Sequence, residues 1–409
     1  MSKQQPQSGL MPRLRFPEFR EAGEWKTRQL GQLGDVLMCK RIFADQTNDQ
    51  GGVPFFKIGT LGGRPDAFIR NELFEEYKSK YNYPRKGEIL ITCSGTVGKC
   101  LSFDGENAYY QDSNIVWIDN PTLEISNEML LSLLLTIDWG RLNSTTITRI
   151  YGSDLRNLSL TFPATPDEQQ KIADCLSSLD TLIAAQADKL DALKTQKKGL
   201  MQQLFPCDGE TVPRLRFPEF REAGEWLVKR LEDVANYENG KAYEKHITEG
   251  GRYLVVNSRF ISTDGRIQKY SDEQFCIADA GDVLMVLSDL PNGRALAKCF
   301  FVEEGDRYAV NQRVCRLTAT DIVGKFLFYF LNRNIHLLSF DDGINQTHLS
   351  KGAVLDCPIN APEKIKEQER IADFLSSLDA LIAAQANKLD ALKTHKKGLM
   401  QQLFPSPEA

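Results

Sequence analysis

KIADCLSSLDTLIAAQADKLDALKTQKKGLMQQLFP runs from Lys171 to Pro206, and RIADFLSSLDALIAAQANKLDALKTHKKGLMQQLFP runs from Arg370 to Pro405. The two differ only at Lys171/Arg370, Cys175/Phe374, Thr181/Ala380, Asp188/Asn387 and Gln196/His395. In the first, Leu176, Leu179, Ile183, Gln186, Leu190, Leu193, Lys197, Leu200 and Leu204 follow alternating steps of three and four; Leu375, Leu378, Ile382, Gln385, Leu389, Leu392, Lys396, Leu399 and Leu403 repeat them in the second. That spacing predicts a heptad seam on a long helix, a rod of roughly 57 Å for about 38 residues. The expected helix-pairing residues are Leu176, Leu179, Ile183, Leu190, Leu193 and Leu200, with Leu375, Leu378, Ile382, Leu389, Leu392 and Leu399. A parallel, in-register pair would set Lys197 beside Lys396 in a dry seam. An antiparallel pair moves the two charges apart and is the expected arrangement; a plain helical hairpin core, or homodimerisation of each helix, is the alternative.

A second phrase also occurs twice: PRLRFPEFREAGEW spans Pro12–Trp25 and Pro213–Trp226. It divides the chain into a tail and linker (1–25), a variable block (26–166), a helix (167–206), the repeated linker (207–226), a second variable block (227–362), a second helix (363–405) and a short tail (406–409). Two copies are too few for a solenoid. They point to a pseudo-dimer within one chain, built about an approximate twofold axis. The expected fold is α+β: two pseudo-twofold-related α/β domains separated by a pair of long antiparallel coiled-coil helices.

The variable blocks differ in wording but share an outline. Each opens on a β-like stretch, VPFFKIGTLGG (Val53–Gly63) and RYLVVNSRFIS (Arg252–Ser262). Each steps through Gly-Glu or Gly-Asp into a strand, KGEILITCSG (Lys86–Gly95) and AGDVLMVLSD (Ala280–Asp289). A second strand follows, QDSNIVWI (Gln111–Ile118) and VNQRVCRL (Val310–Leu317), then an apolar helix, Asn127–Leu142 and Val323–Leu338. Polar loops close the blocks, Asn143–Leu155 and Asp341–Leu355, ahead of a Pro, an E-Q pair (Glu168–Gln169, Glu367–Gln368) and the long helix. A repeated scaffold with different loops suits one geometry reading two different targets.

Composition narrows the chemistry. The 409 residues carry a net charge of −5, 42% hydrophobic and 26% charged residues, values of an ordinary globular protein long enough for two or three domains. The most apolar run, Met129–Ile137, is far shorter than the roughly 18 residues of a membrane span. Nine cysteines without a C-x-x-C pair suit reduced thiols in a cytoplasm, and the four histidines lack metal spacing. ITCSGTVGKC (Ile91–Cys100) has G-x-x-G-K where a phosphate loop needs G-x-x-x-x-G-K-[ST], and reads instead as a turn presenting Ser94, Thr96 and Lys99. No methyltransferase, dinucleotide-binding or nucleophile-elbow motif is present, so the chain reads as a recognition protein, not an enzyme. The closing loops gather Asn, Gln, Thr, Arg, His and Lys, side chains that contact base edges and that also populate solvated loops.

Two variable blocks, each followed by P-x-x-x-x-E-Q-x-x-I-A and a long heptad helix, resemble the specificity subunit of type I restriction–modification systems over nearly the whole chain, from about Met11 to Pro405. The resemblance implies that each block is a target-recognition domain reading one half of a bipartite, asymmetric double-stranded DNA sequence. The helices would set the spacer and dock two methyltransferase subunits, which methylate adenine with their own S-adenosylmethionine. Two restriction subunits would add translocation and cleavage driven by ATP and Mg. No cofactor is expected in this chain. The DNA-binding candidates are Lys57, Ser94, Thr96, Lys99, Gln111, Asn114, Arg149 and Tyr151 in the first block. In the second they are Asn257, Arg259, Ser288, Asn292, Arg294, Asn311, Gln312, Arg313, Gln346, His348 and Lys351. The competing reading is a coiled-coil adaptor whose domains bind proteins.

Overall fold

The computed structural model describes residues 11–142, 149–207, 209–290 and 293–405. Contacts divide the chain into two units: residues up to Ala187 together with those from Asn387 onward, and Asp188–Ala386.

In the first unit a four-stranded antiparallel sheet has the order Val36–Leu37, Ile115–Ile118, Ile89–Thr92, Cys100–Ser102. The runs ILIT and IVWI are buried at every position because both faces of this sheet are covered. Side chains alternate along a strand, so Ile89, Ile91, Val116 and Ile118 enter one core and Leu90, Ile115 and Trp117 another. The helix Asn127–Leu134 covers the first face with Met129, Leu130, Leu133 and Leu134. A second small sheet, in which Val53–Phe56 runs parallel to Tyr109–Tyr110, contributes Val53, Phe55 and Tyr109 to the other core.

The second unit repeats this plan. Its antiparallel sheet runs Ala235–Asn239, Val314–Ala319, Val283–Val286, Cys299–Phe301, and Tyr253–Val256 pairs in parallel with Tyr308–Val310. Val283, Met285 and Leu317 face one core, and Leu284, Val286 and Val314 the other. In both units the strand after the linker pairs with the strand before the long helix: Lys26–Gln29 with Ser159–Phe162, and Leu227–Arg230 with Pro358–Ala361.

The apolar helices are shorter than their sequence suggests. The first ends at Leu134 and resumes as a 3-10 turn at Trp139–Leu142, because Thr136 turns both its N–H and its hydroxyl back to the Leu133 carbonyl. The second breaks into Gly324–Leu331 and Ile335–Leu338. Between them the Asn332 side chain accepts from Cys299 N–H at 3.0 Å, and Arg333, at φ 61°, donates to the Ala297 carbonyl. Bonds to the sheet edge replace the next helical turn.

The long helices span Pro166–Leu204 and Ile365–Leu403. In the first unit Ile172 and Leu176, at the start of the central helix, share a core with Leu399, Leu403 and Phe404 at the end of the terminal one. In the second unit Ile371 and Leu375 share a core with Leu200 and Leu204. Each unit thus joins the beginning of one helix to the end of the other, the antiparallel arrangement. The seam lysines find acids: Lys396 pairs with Asp180 in the first unit and Lys197 with Asp379 in the second, both at 2.5 Å.

The repeated phrases meet at the E-Q pair. Arg15, from RLRFPEF, makes a bidentate ion pair with Glu168 at 2.7 Å, and Arg216 does the same with Glu367; all four side chains are nearly inaccessible. Gln169 accepts from Ser126 N–H and donates to the Pro163 carbonyl, while Gln368 accepts from Val323 N–H and donates to Pro362. The linker backbone then sits on a helix end, with Leu14 N–H on the Gln402 carbonyl and Leu215 N–H on the Gln203 carbonyl. The linker is therefore a clamp, fastened to the start of one long helix and the end of the other.

Candidate nucleic-acid interface

The loops at one end of the sheets are held by the same backbone bonds in both units. Ile150 N–H donates to the Cys93 carbonyl and Leu349 N–H to the Leu287 carbonyl, each at 2.8 Å. These put Arg149 opposite Ser94, and His348 opposite Ser288. Cys93 N–H donates to the Asn114 carbonyl, and Leu287 N–H to that of Arg313. Gln111 N–H reaches the Phe56 carbonyl, and Asn311 N–H the Val256 carbonyl, so Lys57 and Asn257 also correspond. Ser94/Ser288, Asn114/Arg313, Arg149/His348, Gln111/Asn311 and Lys57/Asn257 are five matched positions on one frame.

Side chains differ on that frame. In the first unit the Ser94 hydroxyl donates to Asn114 Oδ1 at 2.6 Å. Arg149 places its guanidinium 5.7 Å from the Tyr151 ring centre, and among the described residues its buried Nε has no hydrogen-bond partner. Tyr151 is 60% exposed, so the stacked pair presents an aromatic face and a cation together. Burial pushes the Cys93 thiol beneath them up to about 11, the Arg149 charge pulling the other way. Lys57 pairs with Asp66 at 3.1 Å. Lys99 turns its ammonium onto the Leu61 carbonyl, and Thr96 offers its carbonyl to the Thr92 hydroxyl. Gly98, at φ 80°, lies where a Cβ would fall 2.2 Å from the Trp139 ring, so the glycines of this turn serve close packing.

In the second unit Gln346 donates to the Ser288 hydroxyl at 3.1 Å, and His348 is exposed beside them. Arg259, Arg294, Arg313 and Lys351 are exposed, the last with its ammonium 5.5 Å from the Tyr237 ring centre. Gln312 is held by Glu244 at 3.1 Å. Three candidates have structural work. Asn257 caps the helix Ser258–Ser262 through its side-chain oxygen, Asn311 is buried at the parallel-strand junction, and Ser288 is buried under Gln346. Asn292 lies outside the described residues. Asp342 collects the N–H groups of Asn345 and Ile344 together with the Asn345 amide, which hold its carboxyl down to about 2 and brace the loop that carries Gln346.

Sequence reasoning passed over Arg41, 61% exposed and bonded to Asp112 at 3.0 Å, with Phe43 exposed two residues on. The signal is the basic pair Lys40–Arg41 close to an aromatic, Phe43, in CKRIF, residues 39–43.

Residues 22–195 and 223–394 each match the family described as the type I restriction modification DNA specificity domain. The chain belongs to this family. Its specificity domains thus carry the matched loop frames, one to each unit. Over 157 residues the chain is 48% identical to a putative type I restriction enzyme specificity subunit, S.HindORF215P, of Haemophilus influenzae, covering 38% of this chain and 40% of that protein. Over 258 residues it is 26% identical to the MjaVIII specificity subunit of Methanocaldococcus jannaschii, covering 58% of this chain and 59% of that one. The match to the putative MjaX specificity subunit of the same organism is 23% but covers 93% of both chains. In fold, the crystal structure of the type I S subunit from M. genitalium superposes with a TM-score of 0.63 at 17% identity, covering 98% of this chain and all of that one. A chain from a structural study of complex assembly and conformational transition in the type I R-M system follows at 0.54, also 17% identical, covering 93% and 98%.

Proposed function

We propose that this specificity subunit reads a bipartite, asymmetric DNA sequence, one half through each domain. The carrying observation is the matched loop frame that bears Ser94, Asn114 and Arg149 in one unit and Ser288, Arg313 and His348 in the other. Arginine forks onto guanine, and asparagine or glutamine onto adenine, in the major groove. Two different side-chain sets on one frame are suited to two different half-sites. The long helices, 39 residues each, span about 58 Å at 1.5 Å per residue, enough to set half-sites about one DNA turn, 34–36 Å, apart. They also offer docking faces to two methyltransferase subunits, which supply S-adenosylmethionine and flip the adenine they modify. Restriction subunits, where they join, supply ATP and Mg.

The test is long-read sequencing of adenine methylation in cells with and without the gene, the methyltransferase partner being present. Loss of a two-part motif on deletion is the expected result. An unchanged methylome with an active methyltransferase would overturn the proposal. Adding seven residues to both long helices, after Ala187 and after Ala386, should change the spacer while keeping both half-sites. A changed half-site with an unchanged spacer would overturn the ruler role.

A further inference from the structure

Among their differences, the units differ where, within each, the apolar helix packs against the long helices. In the second unit Tyr329 lies on the apolar helix with its hydroxyl 2.8 Å from Asp379 Oδ2 and 3.2 Å from Ser376 Oγ. The Lys197 ammonium sits 5.1 Å from the ring centre. Burial raises the Tyr329 pKa, so the phenol stays neutral and can donate. In the first unit the groups that surround this ring are repeated: Ser177, Asp180 and Lys396 match Ser376, Asp379 and Lys197 in the near-identical helices.

The ring itself is missing there. The glutamine clamps place Ser126 opposite Val323, and six residues on, Ser132 stands where the second unit has Tyr329. Its hydroxyl turns back to the Glu128 carbonyl at 2.9 Å. A cavity of about 140 Å³ remains, lined by Ser132, Ser177, Asp180, Lys396, Leu176 and Met400 among others. Asp180 is 56% exposed against 43% for Asp379. Leu135, 46% exposed, stands at the rim, which opens into a larger groove along Lys393, Lys397 and Phe404.

We infer that this cavity receives a tyrosine side chain from a protein docked on the first unit. The molecule itself shows the fit, since its own second copy fills the twin site with a phenol bonded to the same serine and aspartate and flanked by the same lysine. The apolar rim suits the body of an aromatic anchor, and tyrosine is enriched among the residues that dominate interfaces. The partner is the methyltransferase subunit of the preceding proposal, on which this step rests, and its two copies meet unequal faces. One face is open to a tyrosine and the other is already plugged, so the first unit is loaded first.

The probe is p-cresol, the side chain of tyrosine alone, titrated into the full-length chain and followed by NMR and thermal unfolding; no methyltransferase or DNA is needed. The wild type should bind one p-cresol and unfold at a higher temperature in its presence. Ser132→Tyr should stabilise the chain by itself and abolish p-cresol binding, whereas Tyr329→Ser should open the twin site and raise the stoichiometry to two. Failure of p-cresol to bind both the wild type and Tyr329→Ser would overturn the site. In a second arm, Ser132→Tyr should weaken loading of the first methyltransferase subunit by about tenfold. Unchanged loading, with p-cresol binding intact in the wild type, would overturn the partner while leaving the DNA-reading proposal standing.

Discussion

In the first unit Arg149 lies across the Tyr151 ring with its backbone opposite Ser94; in the second His348 takes that position opposite Ser288, and Gln346 holds the serine hydroxyl. The bonds beneath are the same, from the loop N–H to the carbonyl that precedes each serine. A frame made of main-chain bonds does not depend on side-chain identity. The residues it carries are therefore free to differ between the units, as they do, while the clamp at the E-Q pair cannot vary in the same way. Its Arg–Glu pair is withdrawn from water, and either partner left alone is a buried charge.

The largest expected effect tests the clamp. Glu168→Ala and Glu367→Ala should each cost about 3–5 kcal/mol of unfolding free energy in urea, because Arg15 or Arg216 stays buried without its partner. Glu168→Ala should cost more, since Trp25 also donates to Glu168 at 3.2 Å whereas the buried Trp226 nitrogen has no partner among the described residues. Equal costs would show that the tryptophan bond adds nothing.

Next comes discrimination. Arg149→Ala should lose about 1–3 kcal/mol of selectivity in one half-site and His348→Ala a similar amount in the other, read as the shift in methylated motif. If both variants relaxed the same half-site, the matched frames would not read separate targets. A smaller effect separates the apolar helices. Ser126 caps its helix by accepting from Met129 N–H, while Val323 provides no side-chain cap. Ser126→Ala should cost about 1 kcal/mol in urea unfolding of the first unit only.

The smallest effect concerns acid. The Asp342 carboxyl is held down to about 2 by the Asn345 and Ile344 N–H groups. A depressed carboxylate pKa adds stability that is present above the unfolded value of about 3.9 and is lost as pH falls through the folded one. The loop carrying Gln346 should therefore keep its amide-exchange protection at pH 4 and lose it toward pH 2, with Asp342→Asn removing that dependence. The first unit's closing loop has no described counterpart to compare, so the variant itself is the control.

The repeated helix was legible from its heptad steps, because periodicity is written along the chain, and the antiparallel pairing was the expectation from two lysines that a parallel pair would bring together. The strands ILIT and IVWI were legible as apolar runs, though not which of their faces met which core. The apolar helices were read too long, at Thr136 and at Asn332, because hydrogen bonds to distant or turn carbonyls ended them where the apolar pattern continued. Among the loop candidates, composition marked Asn257 and Asn311 as strongly as Arg149. Capping and burial separate them, and neither is written in residue type.

The sequence by itself determined that there are two copies of one scaffold, each ending in a long heptad helix, since identity and spacing are properties of the chain. The tertiary structure alone decided that PRLRFPEF is a clamp on the E-Q pair, that five loop positions match in pairs, and that Ser132 leaves open what Tyr329 fills. Each depends on groups dozens to more than a hundred residues apart reaching hydrogen-bond distance, and only the folded chain brings them there.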